Sequence, residues 1–251
     1  VAVDQQIQRR MVVDDLHSFN VLEVYIGGTK VAERGTALFT ATPRANGLGI
    51  SPRALHGQDL LLEAKGERAA VRAIEAYPNR IQSGGLVTEL PVREGRVRAS
   101  LEQDVLHLAL VNRYLDERPV LGFIKGFGLK RGAMATSVSH DCHHLLAVGA
   151  SVEDMAMAIN AVSRAGGFAV CDNGKMKTLP LEVAGLMSVS PAGTVAQQEA
   201  HLLAMLNEMG CRLPAPFMTL SFQSLLVVPE LKIGDRGLFD TVRMEFVPAV
   251  L

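Results

Sequence analysis

Tryptophan is absent from this 251-residue sequence and aromatic residues make up only 5% of it, so any core must be aliphatic, built of Val, Leu, Ala and Met. Cysteine is almost as scarce. Cys142, Cys171 and Cys211 are odd in number and far apart, and no CxxC pair occurs. That excludes a disulfide framework and a zinc knuckle, and it fits a reducing cytoplasm. No apolar run reaches the ~18 residues of a membrane span. No basic-then-apolar leader opens the chain. A strong charge of either sign is also missing. The formal net charge is −1, which argues against a general nucleic-acid binder. There is no initiator methionine, and VAVDQQIQRRMVVDD runs almost at once into a strand-like stretch, so the reading is a piece of a longer polypeptide.

What is present is a chain long enough for one large domain or two small ones, with 48% hydrophobic residues. Residues 11–40 read as a short β unit: MVVDDL, then VLEVYIGG and TKVAERG joined across Gly27–Gly28, a hairpin signal. That unit is too small to fold alone. Residues 41–58 carry Pro43, Pro52 and several glycines and read as a connection and domain boundary. Beyond Asp59 the pattern is β-like: RAAVRAIEA stops near Pro78, two strands flank Glu94–Gly95, and VLHLALV is a buried strand or a helix segment. Ser151 and Asp154 mark a capping box before Met155, Ile159 and Val162 at helical spacing, closed by Gly166–Gly167. Asn173–Gly174 joins a second hairpin. A second helix spans about 194–210 with Leu202, Leu206 and Met209 on one face. FMTLSFQSLLVV reads as strand-like or buried, and TVRMEFVPAV as a closing strand. The expected fold class is α+β, mostly antiparallel sheet with a few packed helices.

Chemistry concentrates between Gly122 and Gly149, GFIKGFGLKRGAMATSVSHDCHHLLAVG. Three of the seven histidines fall in His140–Asp141–Cys142–His143–His144. Strand-like flanks make this cluster a connection, and a connection can aim several groups at one point. Imidazole and carboxylate suit zinc, iron or manganese; the same groups also suit general acid–base work near neutrality, or turn chemistry alone. His140, Asp141 and His143 are therefore the catalytic and metal candidates. His140, His143, His144 and Lys130 are the substrate-contact candidates. GFGLKRG has the glycines of a phosphate cradle but completes no phosphate-binding motif, so tight turns at Gly126, Gly128 and Gly132 are the plainer reading.

From about Asp104 onward, GFGLKRGAMATSVSHDCHHLLAVG, EDMAMAINAVSRAGG, LPLEVAGLMS and PFMTLSFQSLLVVPELKIGDRGLFD, in that order, resemble the C-terminal region of bacterial adenine deaminase, a member of the metal-dependent amidohydrolase superfamily. Residues 1–45 would then be trailing strands of an amidohydrolase-type β-sandwich, and 46–251 the C-terminal α+β domain. The resemblance implies hydrolysis of adenine to hypoxanthine and ammonia by a metal-bound hydroxide. It further implies manganese or iron held by a barrel domain, a cytoplasmic homo-oligomer, and no nucleic-acid or membrane partner. No His-x-His pair, the superfamily's first ligand set, occurs here, so metal ligands are expected outside this chain and the segment alone is expected to be inactive. HDCHH would face the barrel mouth, or else serve only a binding and oligomerisation module; a small self-sufficient metal-binding protein is the remaining alternative. The family's usual HDSHN is altered at two positions, Cys142 for Ser and His144 for Asn.

Overall fold

A computed structural model describes residues 9–40, 47–50 and 54–251. Two compact units divide at Pro43–Arg44. The first is an antiparallel meander of β1 (Arg9–Val13), β2 (Val21–Ile26), β3 (Thr29–Glu33) and β4 (Thr36–Ala37). Gly27 and Gly28, both at positive φ, make the two-residue turn between β2 and β3. None of the described residues of this unit is fully buried. Pro43 and Pro52, on which the connection was read, lie outside the described residues.

The second unit is α+β. Its strands are β5 (Arg68–Ala76), β6 (Ser83–Arg93), β7 (Arg96–Val97), β8 (Val105–Val111), β9 (Val120–Lys125), β10 (Ala133–Thr136), β11 (Leu145–Gly149), β12 (Phe168–Asp172), β13 (Lys175–Leu179), β14 (Leu231–Gly234), β15 (Gly237–Asp240) and β16 (Glu245–Val247). Its helices are α1 (Val152–Ala165), α2 (Ala192–Glu208) and α3 (Pro216–Ser221). Nine strands form one sheet in the order β13-β12-β10-β11-β8-β9-β5-β6-β7, and β14–β16 form a small second sheet. Pairing in the large sheet is antiparallel except between β5 and β9.

The central strands are continuously apolar because both faces are covered. Side chains alternate across the sheet with a period of two. Ala109, Ala133, Ala135, Ala147 and Ala169 fall on one face, under Val152, Met155, Ile159 and Val162 of α1. Alanines there let the helix lie close. Leu106, Leu108, Leu110, Met134, Leu146, Val148 and Val170 fall on the other face, with Leu202 and Leu206 of α2, Phe217 and Leu220 of α3, and Leu231 and Ile233 of β14. Large residues on that side fill the space beneath α2, α3 and β14.

Two strand expectations are corrected. FMTLSFQSLLVV, read as strand-like or buried, is largely buried in its FMTLSFQS part but is not a strand: α3 runs straight into a 3-10 turn, Phe222–Ser224. Pro216 opens the helix, where its missing N–H costs nothing, and Phe217 and Leu220 share a face at i, i+3. The closing strand is also shorter than TVRMEFVPAV. Asp240 Oδ1 accepts the N–H groups of Val242 and Arg243, each at 3.0 Å, and so holds a turn ahead of β16. The glycine run does form tight turns. The N–H groups of Gly126 and Gly128 donate to the Asp104 carboxylate at 3.0 and 2.8 Å. A side-chain anion thus occupies the place a phosphate would need.

Ser151 caps α1 by accepting the Asp154 N–H at 3.2 Å. Asp154 does not reach back to complete a capping box. It turns inward instead and accepts from Asn173 N at 3.1 Å, Gly174 N at 2.9 Å and Cys171 Sγ at 3.0 Å. Burial, and then the Asp154 carboxylate, push the Cys171 thiol up to about 12, so it stays a neutral donor. One buried acid therefore fastens α1 to the Asn173–Gly174 hairpin turn. Asp154→Ala strands two backbone donors, and urea unfolding is expected to show a loss of ~2–4 kcal/mol; Asp154→Asn, which keeps one acceptor oxygen, should lose less.

Lys232 on β14 is fully buried. Its ammonium donates to Ile81 O at 2.8 Å and Phe222 O at 3.1 Å, both neutral acceptors. Burial alone pushes its pKa down from 10.5 to about 8. Between those values the unfolded chain binds the proton more readily than the folded one, so this group's cost to folding is full below about pH 8 and fades as pH rises. Measured against Lys232→Met, wild-type stability is expected to rise by roughly 3 kcal/mol between pH 8 and pH 10.5. Parallel pH profiles of the two proteins would contradict this.

Candidate functional site

Strands β10 and β11 are paired neighbours in the middle of the sheet, joined by residues 137–144. Because neighbouring elements crowd this connection, its backbone polar groups need internal partners. Buried serines supply them. Ser137 Oγ donates to Gly185 O at 2.5 Å and accepts from Gly167 N at 2.7 Å. Ser139 Oγ donates to His144 O at 2.7 Å and lies 3.6 Å from Cys142 Sγ. The left-handed backbone of His143 (φ 54°) reverses the chain, and its N–H meets Ser139 O at 2.8 Å.

Arg113 secures the loop from the end of β8. It is 3% exposed, and its guanidinium donates to four carbonyl oxygens, those of Leu48, Gly49, His143 and Ala184, at 2.5–3.3 Å. Its own N–H donates to His144 Nδ1 at 3.3 Å. A backbone N–H can only donate, so neutral His144 carries its proton on Nε2. Burial first, and then the Arg113 charge, hold His144 below the usual histidine range, while Asp235 opposes them. His144 is a neutral wall of the site, with Tyr114 edge-on at 5.7 Å.

His140 is gripped by the turn after α3. Its N–H donates to Ser221 O at 3.1 Å, its carbonyl accepts from Ser224 Oγ at 2.8 Å, and its Nδ1 lies 3.0 Å from Ser221 Oγ. The ring stacks on Phe222 with centroids 4.8 Å apart. Ser221 Oγ also donates to Met218 O at 2.9 Å. With the hydroxyl proton spent there, Nδ1 is the donor to Ser221 Oγ, and in the neutral ring this tautomer leaves the lone pair on Nε2. His143 is half-buried, and its Nδ1 is buried without a hydrogen-bond partner among the described residues. Asp141 is exposed at the tip.

The structure thus brings His140, Asp141, His143 and His144 together in one loop. Lys130 is elsewhere. It precedes β10, whereas the loop follows it, and the strand alone separates its ends by about 10 Å. The Lys130 ammonium reaches Leu101 O at 3.3 Å. The loop does not present a ligand set: Nδ1 of His144 is filled by an N–H, and among the described residues no three His, Cys, Asp or Glu groups are placed to hold an ion. Arg113, Ser221, Phe222 and Ser224 were not anticipated from sequence. The one available signal was a charged residue two positions after the apolar run VLHLALV.

Exposed apolar side chains border the loop. Tyr114 is 60% exposed and touches His144; Met218 is 48% exposed and borders Ser221; Met187 is 58% exposed, beside the Ala184–Gly185 carbonyls bound by Arg113 and Ser137. No helix among the described residues is long and apolar enough to cross a membrane.

Residues 81–245 match the family model of the adenine deaminase C-terminal domain. Among curated relatives, the adenine deaminase of Salinibacter ruber is 44% identical over 242 residues, covering 94% of this chain and 44% of its own length. That of Methanothermobacter thermautotrophicus is 42% identical over 241 residues, and that of Methanosarcina barkeri 38% over 244, with the same coverage. The chain therefore spans under half the length of the relatives it matches. On this match, together with the α+β fold, the chain belongs to the adenine deaminase C-terminal domain family.

Proposed function

We propose that this domain works as part of an adenine deaminase, which converts adenine and water to hypoxanthine and ammonia, and that the 137–144 loop forms one wall of the purine site. The observation that carries this reading is the buried, partnerless Nδ1 of His143 beside a His140 ring whose Nε2 is left free. Buried polar atoms are seldom left unsatisfied, and a catalytic role is one of the reasons one can be. The apolar border around the loop supports a face that is covered in the working enzyme. The relatives carry more than another half-length of chain, and that remainder is the proposed cover.

Adenine presents an N6 amine that donates and an N7 that accepts. A lone pair on His140 Nε2 suits the amine. His143 supplies the second imidazole and, depending on its tautomer, serves N7 or the leaving ammonia. Neither role needs a metal ligand from this chain. The catalytic ion, manganese or iron, would be held by the remainder of the enzyme, where it would supply an activated water. His140, His143 and His144 then position and enclose the base, while Asp141, exposed at the tip, is free to meet the covering part. The enzyme is proposed to be a cytoplasmic homo-oligomer.

The test is steady-state ammonia release from adenine by the full-length enzyme loaded with manganese. His140→Ala and His143→Ala are each expected to lower kcat by ~10-fold or more, the loss of one transition-state hydrogen bond. A rise in KM at constant kcat would assign them to uniform binding. If both variants keep turnover and KM within about twofold of wild type, the loop is an assembly surface and the substrate-wall reading fails.

A further inference from the structure

Lys232 lies outside the 137–144 loop, yet one of its hydrogen bonds ends on the segment that holds His140. It is fully buried, and no carboxylate among the described residues pairs with it. A buried ammonium is costly, and an apolar residue would fill the same space more cheaply. Two carbonyl oxygens receive its protons. Ile81 O belongs to the β5–β6 connection, and Phe222 O to the 3-10 turn after α3. That turn and Ser221, the last residue of α3 directly before it, supply every contact named above for His140: the Phe222 ring stacked on the imidazole, Ser221 Oγ at Nδ1, Ser221 O at the backbone N–H, and Ser224 Oγ at the carbonyl. Gln223, between them, is 1% exposed, and its Nε2 donates to Thr219 O at 2.7 Å.

We propose that Lys232 is a positioning residue for His140: by binding Phe222 O and Ile81 O it sets where the Phe222–Ser224 turn sits, and through that turn it fixes the plane and tautomer of the His140 ring. This rests on the reading of His140 as a purine contact. The charge explains why a lysine stands where an apolar residue would pack. A cation pulls two carbonyls from separate segments toward one point, which an apolar side chain cannot do. The turn is short, so it has few bonds of its own to hold it in register.

Lys232→Met keeps the stem and removes the donors. Lys232→Gln keeps a neutral donor. Both are made in the 251-residue chain and in the full-length enzyme. In the chain, nitrogen-15 NMR of the imidazoles is expected to show His140 Nδ1 and Nε2 shifts moving in Lys232→Met, with His107 and His201 unmoved and the thermal midpoint equal to or above wild type at pH 7. In the full-length enzyme kcat is expected to fall ~10-fold with KM changed less than about twofold, and Lys232→Gln to recover part of the loss. The double variant Lys232→Met/His140→Ala should be no slower than His140→Ala, because both act through one ring. An unmoved His140 spectrum in Lys232→Met overturns the proposal, as do additive losses in the double variant. If His140→Ala turns over like wild type, the purine-wall reading falls, and the His140 spectrum alone still decides whether Lys232 governs that ring.

Discussion

A cation buried without an anion is the constraint on which the candidate site depends. No carboxylate among the described residues is seen to pair with Arg113; it spends its guanidinium on the carbonyls of Leu48, Gly49, His143 and Ala184. Each carbonyl carries only a partial charge, so several must converge to replace the water that the guanidinium loses. Convergence is itself the structural result: three separate segments are brought to one side chain, and one of them is the histidine loop. Removing Arg113 would take away the one donor these four carbonyls share, so the loop and its neighbours would rearrange together. Lys232 repeats the arrangement on a smaller scale at the other side of the loop. The site is therefore built from backbone dipoles gathered around buried positive charge.

This explains why three histidines so close in sequence differ in chemistry. His144 faces Arg113 and accepts its N–H, so it is held neutral in one tautomer. His140 faces the Ser221–Ser224 turn, which takes its Nδ1 and leaves Nε2. His143 lies between them with φ in the left-handed region and Nδ1 without a partner. Sequence neighbours in a tight reversal point in different directions, so adjacency does not bring their donors to one point. A metal ligand set needs such convergence; a wall that presents a lone pair and an N–H to a flat base does not.

Much of the frame was legible from residue patterns. Glycine pairs and Asn173–Gly174 located two hairpins because only a few residues tolerate positive φ at both turn positions. Ser151 located the start of α1, and the run VLHLALV located a doubly covered strand. The misreadings share a cause. FMTLSFQS has apolar residues at spacings that suit a short helix or a strand, and only packing against β14 and the histidine loop decides between them. Asp154 looked like half of a capping box, but its partners lie on β12 and the following turn, beyond the reach of local spacing. Lys130 and HDCHH are ten positions apart in sequence yet sit at opposite ends of β10, because a strand carries its two flanks apart.

Small residues on one face and large ones on the other make the sheet's asymmetry useful to the site. Alanines let α1 lie against β10, β11 and β12, while the opposite face must accommodate α2, α3 and β14. α3 and its trailing turn are thereby placed at the same end of the sheet as the β10–β11 connection, where Ser221, Phe222 and Ser224 meet His140. Such a short helix has little intrinsic stability and takes its position from what it packs on. The orientation of His140 is therefore a property of the core beneath α3 as much as of the loop. A change of volume at Phe217 or Leu220, both buried in the core and both distant in sequence from the histidines, would be transmitted to the ring by a turn too short to absorb it.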